Sequence, residues 1–176
     1  MPPVVPDATV NKVLWKIPNV LCLIGAAAGD EWNGMTASWV TQVAMEPVLV
    51  AVSVDRRALT HRLITEGRSF SVNLWSREDT RPFVSFSKPA RREGSTLNGR
   101  AVRTGVTGAP IFAEAIAYLD CRLWSVLDCG THTLFLGEVI DCGFQGAGED
   151  APAARMEDTR MRYGGVKRHG ARGAGA

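Results

Sequence analysis

Short apolar runs, divided by Gly, Pro, Asn and Asp, set the pattern of this chain. Val20 to Ala28 (VLCLIGAAA) is apolar throughout and stops at Gly29-Asp30. A run of that length is a buried strand or a short buried helix, and the flanking turn residues favour strand. After a loop GDEWNG, the stretch MTASWVTQVAME is rich in Thr, Val and Trp and suits one strand, ended by Pro47. VLVAVSVD follows, apolar on both faces and so expected at the centre of a sheet. ALTHRLITEG changes period: Leu59, Leu63 and Ile64 share a helical face, and Gly67 stands where a C-terminal stop belongs. SFSVNLW returns to alternation, with Phe70, Val72 and Leu74 on one side.

Residues Glu78 to Ser87 read as a short helix broken near Pro82, and Lys88 to Gly99 as a polar, irregular stretch. Its last pair, Asn98-Gly99, is a turn signal ahead of a strand at Ala101 to Thr104. Ile116 to Leu127 alternates, with Leu119, Cys121 and Leu123 facing one way and Tyr118, Asp120, Arg122 and Trp124 the other. Thr131 to Asp141 supplies another strand, in which Gly137 marks a bulge. Several short strands with one or two helices predict a mainly β chain closed or half-closed into a barrel. A parallel nucleotide-binding fold is disfavoured, because strands and helices do not alternate and neither G-x-G-x-x-G nor a Walker loop occurs. No internal repeat or linker divides the chain.

Composition narrows the function. A length of 176 residues fits one domain, large enough to hold a core without staples. No apolar run is long enough for a membrane helix, and MPPVVPDATVNK lacks the basic start and apolar stretch of a secretion signal, so a soluble, cytoplasmic protein is expected. Lys+Arg total 20 against 18 acids, and a net charge of +2 argues against a dedicated nucleic-acid binder. The charge is uneven: residues 160–176 carry five Lys/Arg and no acid, leaving −3 for the rest. The simple reading of this Gly-rich end is a solvated tail; the sharper one brings a positive charge or Tyr163 back to an anionic ligand. Cys22, Cys121, Cys129 and Cys142 form no C-x-x-C pair and read as small core residues, and with three scattered histidines no metal site is expected.

Three segments carry candidate chemistry. In Asn33-Gly34-Met35-Thr36-Ala37-Ser38, a glycine at a loop-to-strand corner lets backbone approach a planar ligand, and the Thr36 and Ser38 hydroxyls project from one face. An ordinary glycine turn entering a Thr/Ser strand is the plainer reading of that segment alone. In Ser53-Val54-Asp55-Arg56-Arg57-Ala58-Leu59-Thr60 a strand ends where a helix begins, and helix starts favour anions. Arg56, Arg57 and the Thr60 hydroxyl suit a phosphate; equally, Asp55 caps the helix and the arginines are solvated. In Gly130-Thr131-His132-Thr133-Leu134, His132 shares a face with Leu134 and Leu136, although a lone histidine at a strand head is more often structural.

Together, NGMTASWVTQVAMEPVLVAVSVDRRALTHRLITEGRSFSVNLW, TGAPIFAEAIAYLDCRL and GTHTLFLGEVIDCG resemble the flavin reductase-like family with an FMN-binding split barrel. The resemblance covers residues 15–165 and implies one domain over 12–165 followed by a basic tail, 166–176. It further implies a Greek-key-like, six-stranded barrel with one or two short helices. A homodimer with flavin at or near its interface would pass hydride from NAD(P)H to FMN or FAD. Members supply reduced flavin to a partner monooxygenase. Others retain FMN and pass electrons to a redox protein such as a rubredoxin, and a non-catalytic flavin-binding barrel is a third alternative. By resemblance, Asn33, Gly34, Met35, Thr36, Ala37 and Ser38 line the isoalloxazine, while Ser53, Asp55, Arg56, Arg57 and Thr60 hold the ribityl-phosphate end. Phe86, Ser87, Lys88 and Arg91 fall in a segment that touches the flavin tail. His132 falls near the nicotinamide pocket, and Tyr163 near a C-terminal aromatic that covers the flavin. Ala58 stands where many members carry a phosphate-binding serine, leaving the arginines to compensate.

Overall fold

A computed structural model describes residues 7–161. Helix α1 (Asp7–Leu14) precedes β1 (Cys22–Ala28), β2 (Glu31–Ala37), β3 (Val40–Met45), β4 (Val48–Asp55), α2 (Leu59–Gly67) and β5 (Ser69–Leu74). Next come α3 (Arg81–Ser85), the short strands β6 (Arg92–Glu93), β7 (Thr96–Leu97), β8 (Arg100–Thr104) and β9 (Pro110–Phe112), and the long pair β10 (Ala117–Asp128) and β11 (His132–Phe144). The main sheet runs β2-β1-β5-β10-β11-β4-β3, and β6 to β9 form a second, smaller sheet. The main sheet thus has seven strands where six were expected.

One buried cluster joins Ile24 of β1, Ala37 of β2, Val52 of β4, Phe70 and Val72 of β5, Cys121 of β10 and Phe135 of β11. Strands far apart in the sheet order share that core, so the sheet wraps around it as a barrel, and Leu63 and Ile64 of α2 pack into the same cluster. Leu21 and Leu23 point the other way, into a second cluster with Trp75, Phe83, Phe86 and Phe112. The run at Val20 to Ala28 is apolar because β1 is covered on both faces. Asn73 stitches the two layers: its amide nitrogen donates to the Leu23 carbonyl at 3.2 Å, and its oxygen accepts the Phe112 amide at 2.9 Å.

Several expectations shift by a few residues for physical reasons. The loop assigned to GDEWNG is only the Gly29-Asp30 turn, since Glu31 already pairs with Ala28. The single strand expected over MTASWVTQVAME breaks at Ser38-Trp39 into β2 and β3. β4 is paired on both sides but lies next to the edge, not at the centre. Pro82 does not break α3; it sits in its first turn, where its missing N–H costs nothing. Gly67 is still helical, and the left-handed cap is Arg68 at φ 58°. At Asn98 and Gly99, φ values of 49° and 75° form the tight turn between β7 and β8.

Along β10 and β11 the register shifts twice, at Ile140, between the Asp120–Asp141 and Cys121–Val139 pairs, and at Trp124, between the Leu123–Gly137 and Ser125–Leu136 pairs; Gly137 itself is paired and makes room for the Phe70 ring. Asp120, on the face opposite Leu119 and Cys121, is fully buried and accepts the Thr107 amide at 2.9 Å. Of the cysteines, Cys22 and Cys121 are core residues whose thiols burial pushes up to about 12, whereas Cys129 and Cys142 are exposed.

Candidate functional site

The first half of β2 and the start of α2 lie side by side. The Asn33 amide donates to Thr60 Oγ1 at 2.8 Å, and its oxygen accepts the Ala90 amide at 2.7 Å, so one buried side chain ties β2, α2 and the 88–91 segment together. Just beyond β2, the Trp39 carbonyl accepts the Ser53 amide at 3.1 Å. Both candidate stretches therefore belong to one side of the molecule.

Strand alternation then sorts the side chains. Val52, Val54 and Phe135 face the core, so Ser53 and Asp55 point to the opposite face with His132 and Leu134, their register partners across β11. His132 lies against Trp39, ring centroids 5.1 Å apart, and its Nδ1 is 2.9 Å from Thr131 Oγ1. Trp39, Ser53, Asp55 and His132 form one partly open strip leading to the arginines.

At the far end of the strip α2 begins with Ala58 in extended backbone and no side-chain cap. Arg56 and Arg57 are both exposed there. The Asp55 carboxylate accepts the Arg57 amide at 2.9 Å and forks its guanidinium at 3.1 and 2.7 Å; the hydrogen bonds from Arg57 hold it well below the usual carboxylate range. Arg56 Nη1 donates to Asp128 at 2.9 Å. An uncapped helix start beside two exposed guanidinium groups fits the anionic tail of a flavin nucleotide.

Other expected contacts are already used by the protein itself. A Cβ on Gly34 would stand 2.7 Å from the Phe112 ring and 3.0 Å from Phe86, so this glycine admits the chain's own aromatics on that face, not a ligand. Phe86 is fully buried in the second core cluster and does not face an open site. Thr36 spends its hydroxyl proton on the Phe83 carbonyl at 2.7 Å and its amide on the Phe86 carbonyl at 3.0 Å. Met35 and Ala37 face the barrel core, and Thr60 is fully buried with its hydroxyl accepting from Asn33. Ser38 is nearly buried at the β2–β3 break. Ser87, Lys88 and Arg91 are exposed on the segment anchored by Asn33, with Arg91 paired to Glu93 at 2.8 Å. Tyr163 and the basic tail lie outside the described residues.

Trp39 and Asp128 were not singled out from sequence. Trp39 directly follows the Thr/Ser pair, a signal that was available; Asp128 meets Arg56 only through the fold. A groove of about 530 Å³, lined by Val40, Val48, Val50, Leu74, Val139 and Cys142, opens elsewhere, and none of the candidate residues lines it. Among the described residues no helix is long and apolar enough to cross a membrane.

Comparison with known proteins bears on the family and the fold. Residues 14–166 match the family model described as flavin reductase like domain. The chain is 32% identical over 141 residues to the high molecular weight rubredoxin of Moorella thermoacetica, covering 79% of this chain and 62% of that protein. Against the NADH-dependent FAD reductase of Streptomyces globisporus it is 34% identical over 135 residues, covering 74% and 72%. It spans less than two thirds of the rubredoxin and only 21% of a diflavin flavoprotein from Synechocystis. The solved structure of the Streptomyces globisporus NADH:FAD oxidoreductase superposes with a TM-score of 0.73 at 25% identity, covering 95% of this chain and all of that one. The split-barrel architecture anticipated from sequence is thereby established.

Proposed function

From the premise that this chain belongs to the flavin reductase-like family, we propose that it is a cytoplasmic, homodimeric NAD(P)H:flavin oxidoreductase. It moves hydride from a nicotinamide to FMN or FAD and delivers reduced flavin to a partner monooxygenase. The observation that carries this reading is the strip from His132 and Trp39 to the uncapped start of α2 beside Arg56 and Arg57. The name of the Streptomyces relative, at 34% identity, adds support for the reaction.

When bound, the flavin supplies the redox chemistry, and the protein contributes orientation and electrostatics. Arg56 and Arg57 hold the anionic tail, assisted by the positive end of α2. Ser53 offers a polar contact along the strip, and Asn33 keeps β2 and α2 in register beneath it. Trp39 and His132 form a wall for the flat nicotinamide and keep water from the reacting face. No side chain of this chain needs to exchange a proton or form a bond for hydride to pass; the work is positioning.

A second reading follows from the rubredoxin relative: FMN stays bound and electrons pass to a redox protein. Affinity separates the two, since a flavin that leaves binds near the micromolar range and a retained group far more tightly. The test is NADH and NADPH oxidation with FMN, FAD and riboflavin, before and after stripping bound flavin. Colourless protein that turns over only with added flavin supports the reductase. Yellow protein that keeps its colour on dialysis supports the carrier. No oxidation in either state removes both and leaves a non-catalytic flavin-binding barrel.

A further inference from the structure

The start of α2 holds two arginines and two acids, and one of those acids comes from elsewhere in the chain. Asp128 ends β10, where its Oδ1 accepts the Gly130 amide at 2.8 Å and its Oδ2 accepts Arg56 Nη1 at 2.9 Å. The same guanidinium nitrogen reaches the Gly130 carbonyl at 3.5 Å, and the Arg56 amide donates to the Thr131 carbonyl at 3.1 Å. The Arg56 guanidinium is therefore drawn onto the β10–β11 turn by a carboxylate that the turn itself orients. Arg57 is bound differently, by Asp55 within its own turn. With Asp55 and Asp128 ionised, the four charges cancel at the place where an anionic tail would dock. The Arg56 and Asp128 side chains are 52% and 66% exposed, so the pair opens without stranding a buried charge.

We infer that Asp128 is a built-in competitor for the flavin phosphate: it occupies the guanidinium that the phosphate needs, and its charge repels the phosphate when the pair opens. It keeps the tail weakly held and the flavin exchangeable. This rests on the flavin reading above and adds to it a residue that sets affinity for phosphorylated flavins alone, because riboflavin has no phosphate to compete.

The test uses Asp128→Asn, which keeps an oxygen for the Gly130 amide and loses the charge, and Asp128→Glu, which keeps the charge. FMN and riboflavin binding to the full chain are followed by quenching of flavin fluorescence at low and raised ionic strength. Asp128→Asn is expected to tighten FMN about two- to fivefold at low salt, the range of one surface charge interaction, with the gain shrinking as salt screens it. Riboflavin stays unchanged, and Asp128→Glu behaves as the parent. Unchanged or weaker FMN binding in Asp128→Asn, with riboflavin still bound, overturns the competitor role. Equal shifts for both ligands overturn it too, by tracing the effect to the turn. If the parent protein binds neither ligand, the flavin reading falls and this inference falls with it.

Discussion

The Trp39 indole and the His132 imidazole meet with centroids 5.1 Å apart and planes inclined by 57°. Thr131 Oγ1 lies 2.9 Å from Nδ1, so an aromatic ring and a hydroxyl both hold the imidazole. In the proposed reaction that pair orients the nicotinamide without touching the flavin tail. His132→Ala and Trp39→Ala should each raise the KM for NADH about tenfold, the cost of one lost ring or hydrogen-bond contact, while flavin affinity stays near the parent value. Trp39→Phe should recover most of the loss. Steady-state kinetics alongside flavin titration decide it; parental nicotinamide kinetics in His132→Ala would take the histidine out of the site.

Gly67 presses α2 against β1. A Cβ there would stand 1.8 Å from the Ala27 carbonyl oxygen, a backbone atom that cannot swing aside. Gly67→Ala should cost about 3 kcal/mol by overpacking and lower Tm by roughly 10 °C for a domain of this size. Thermal unfolding of the flavin-free protein measures it. A loss below one degree would mean that helix and strand slide apart freely.

The barrel was legible in the sequence because runs such as VLCLIGAAA and the alternation of SFSVNLW report burial directly. Breaks inside strand-forming sequence were not legible. MTASWVTQVAME is rich in strand formers throughout, and only the fold places a bend at Ser38-Trp39. Glycine has two uses, and Gly67 serves the close approach to Ala27, not the left-handed turn its position suggested. In the site, the helix start and its arginines could be read from neighbouring residues. Long-range partners could not. Asn33 reads as a ligand contact until Thr60 and Ala90, 27 and 57 residues away, are seen to take its amide. Phe86 reads as a flavin neighbour until the second layer closes over it.

Ala58 occupies the cap position of α2 with φ −71° and ψ 142°, the backbone a capping serine adopts, but supplies no acceptor. Ala58→Ser should stabilise the protein by about 1 kcal/mol, by accepting an amide of the first helical turn. Urea unfolding at neutral pH reads the gain. Because the hydroxyl would stand where the proposed phosphate docks, FMN should bind at least as well as in the parent. Loss of stability would show that the half-buried site has no room for the oxygen.

Arg56 and Arg57 lie at that same helix start, and each is paired with an acid while exposed. Exposed pairs contribute little to stability, about 0–1 kcal/mol, so their removal should spare the fold. Arg56→Ala combined with Arg57→Ala should weaken FMN about tenfold or more, as expected for losing charge-assisted bonds to phosphate, and leave riboflavin nearly unchanged. Equal losses for the two ligands would place the phosphate elsewhere.

His61 gives the fold a pH dependence whose sign can be worked out. It sits in the first turn of α2 with Nε2 at 2.8 Å from Thr133 Oγ1 and its ring edge-on to Phe135. Partial burial, and secondarily the positive charge of Arg56, lower its pKa from the ordinary 6.5, against a smaller opposing pull from Asp55. The folded protein therefore resists a proton that the unfolded chain accepts. Stability from this group is complete above pH 6.5 and drains away as pH falls from there through the lowered folded-state value. His61→Gln keeps a hydrogen-bonding group beside Thr133 but cannot titrate. Unfolding free energies measured from pH 7.5 to 5.5 should fall more steeply in the parent than in His61→Gln. The Asp55 carboxylate, held ionised by Arg57, acts only at far lower pH and leaves this window clear. Parallel profiles for the two proteins would show that the imidazole is solvated in the folded state.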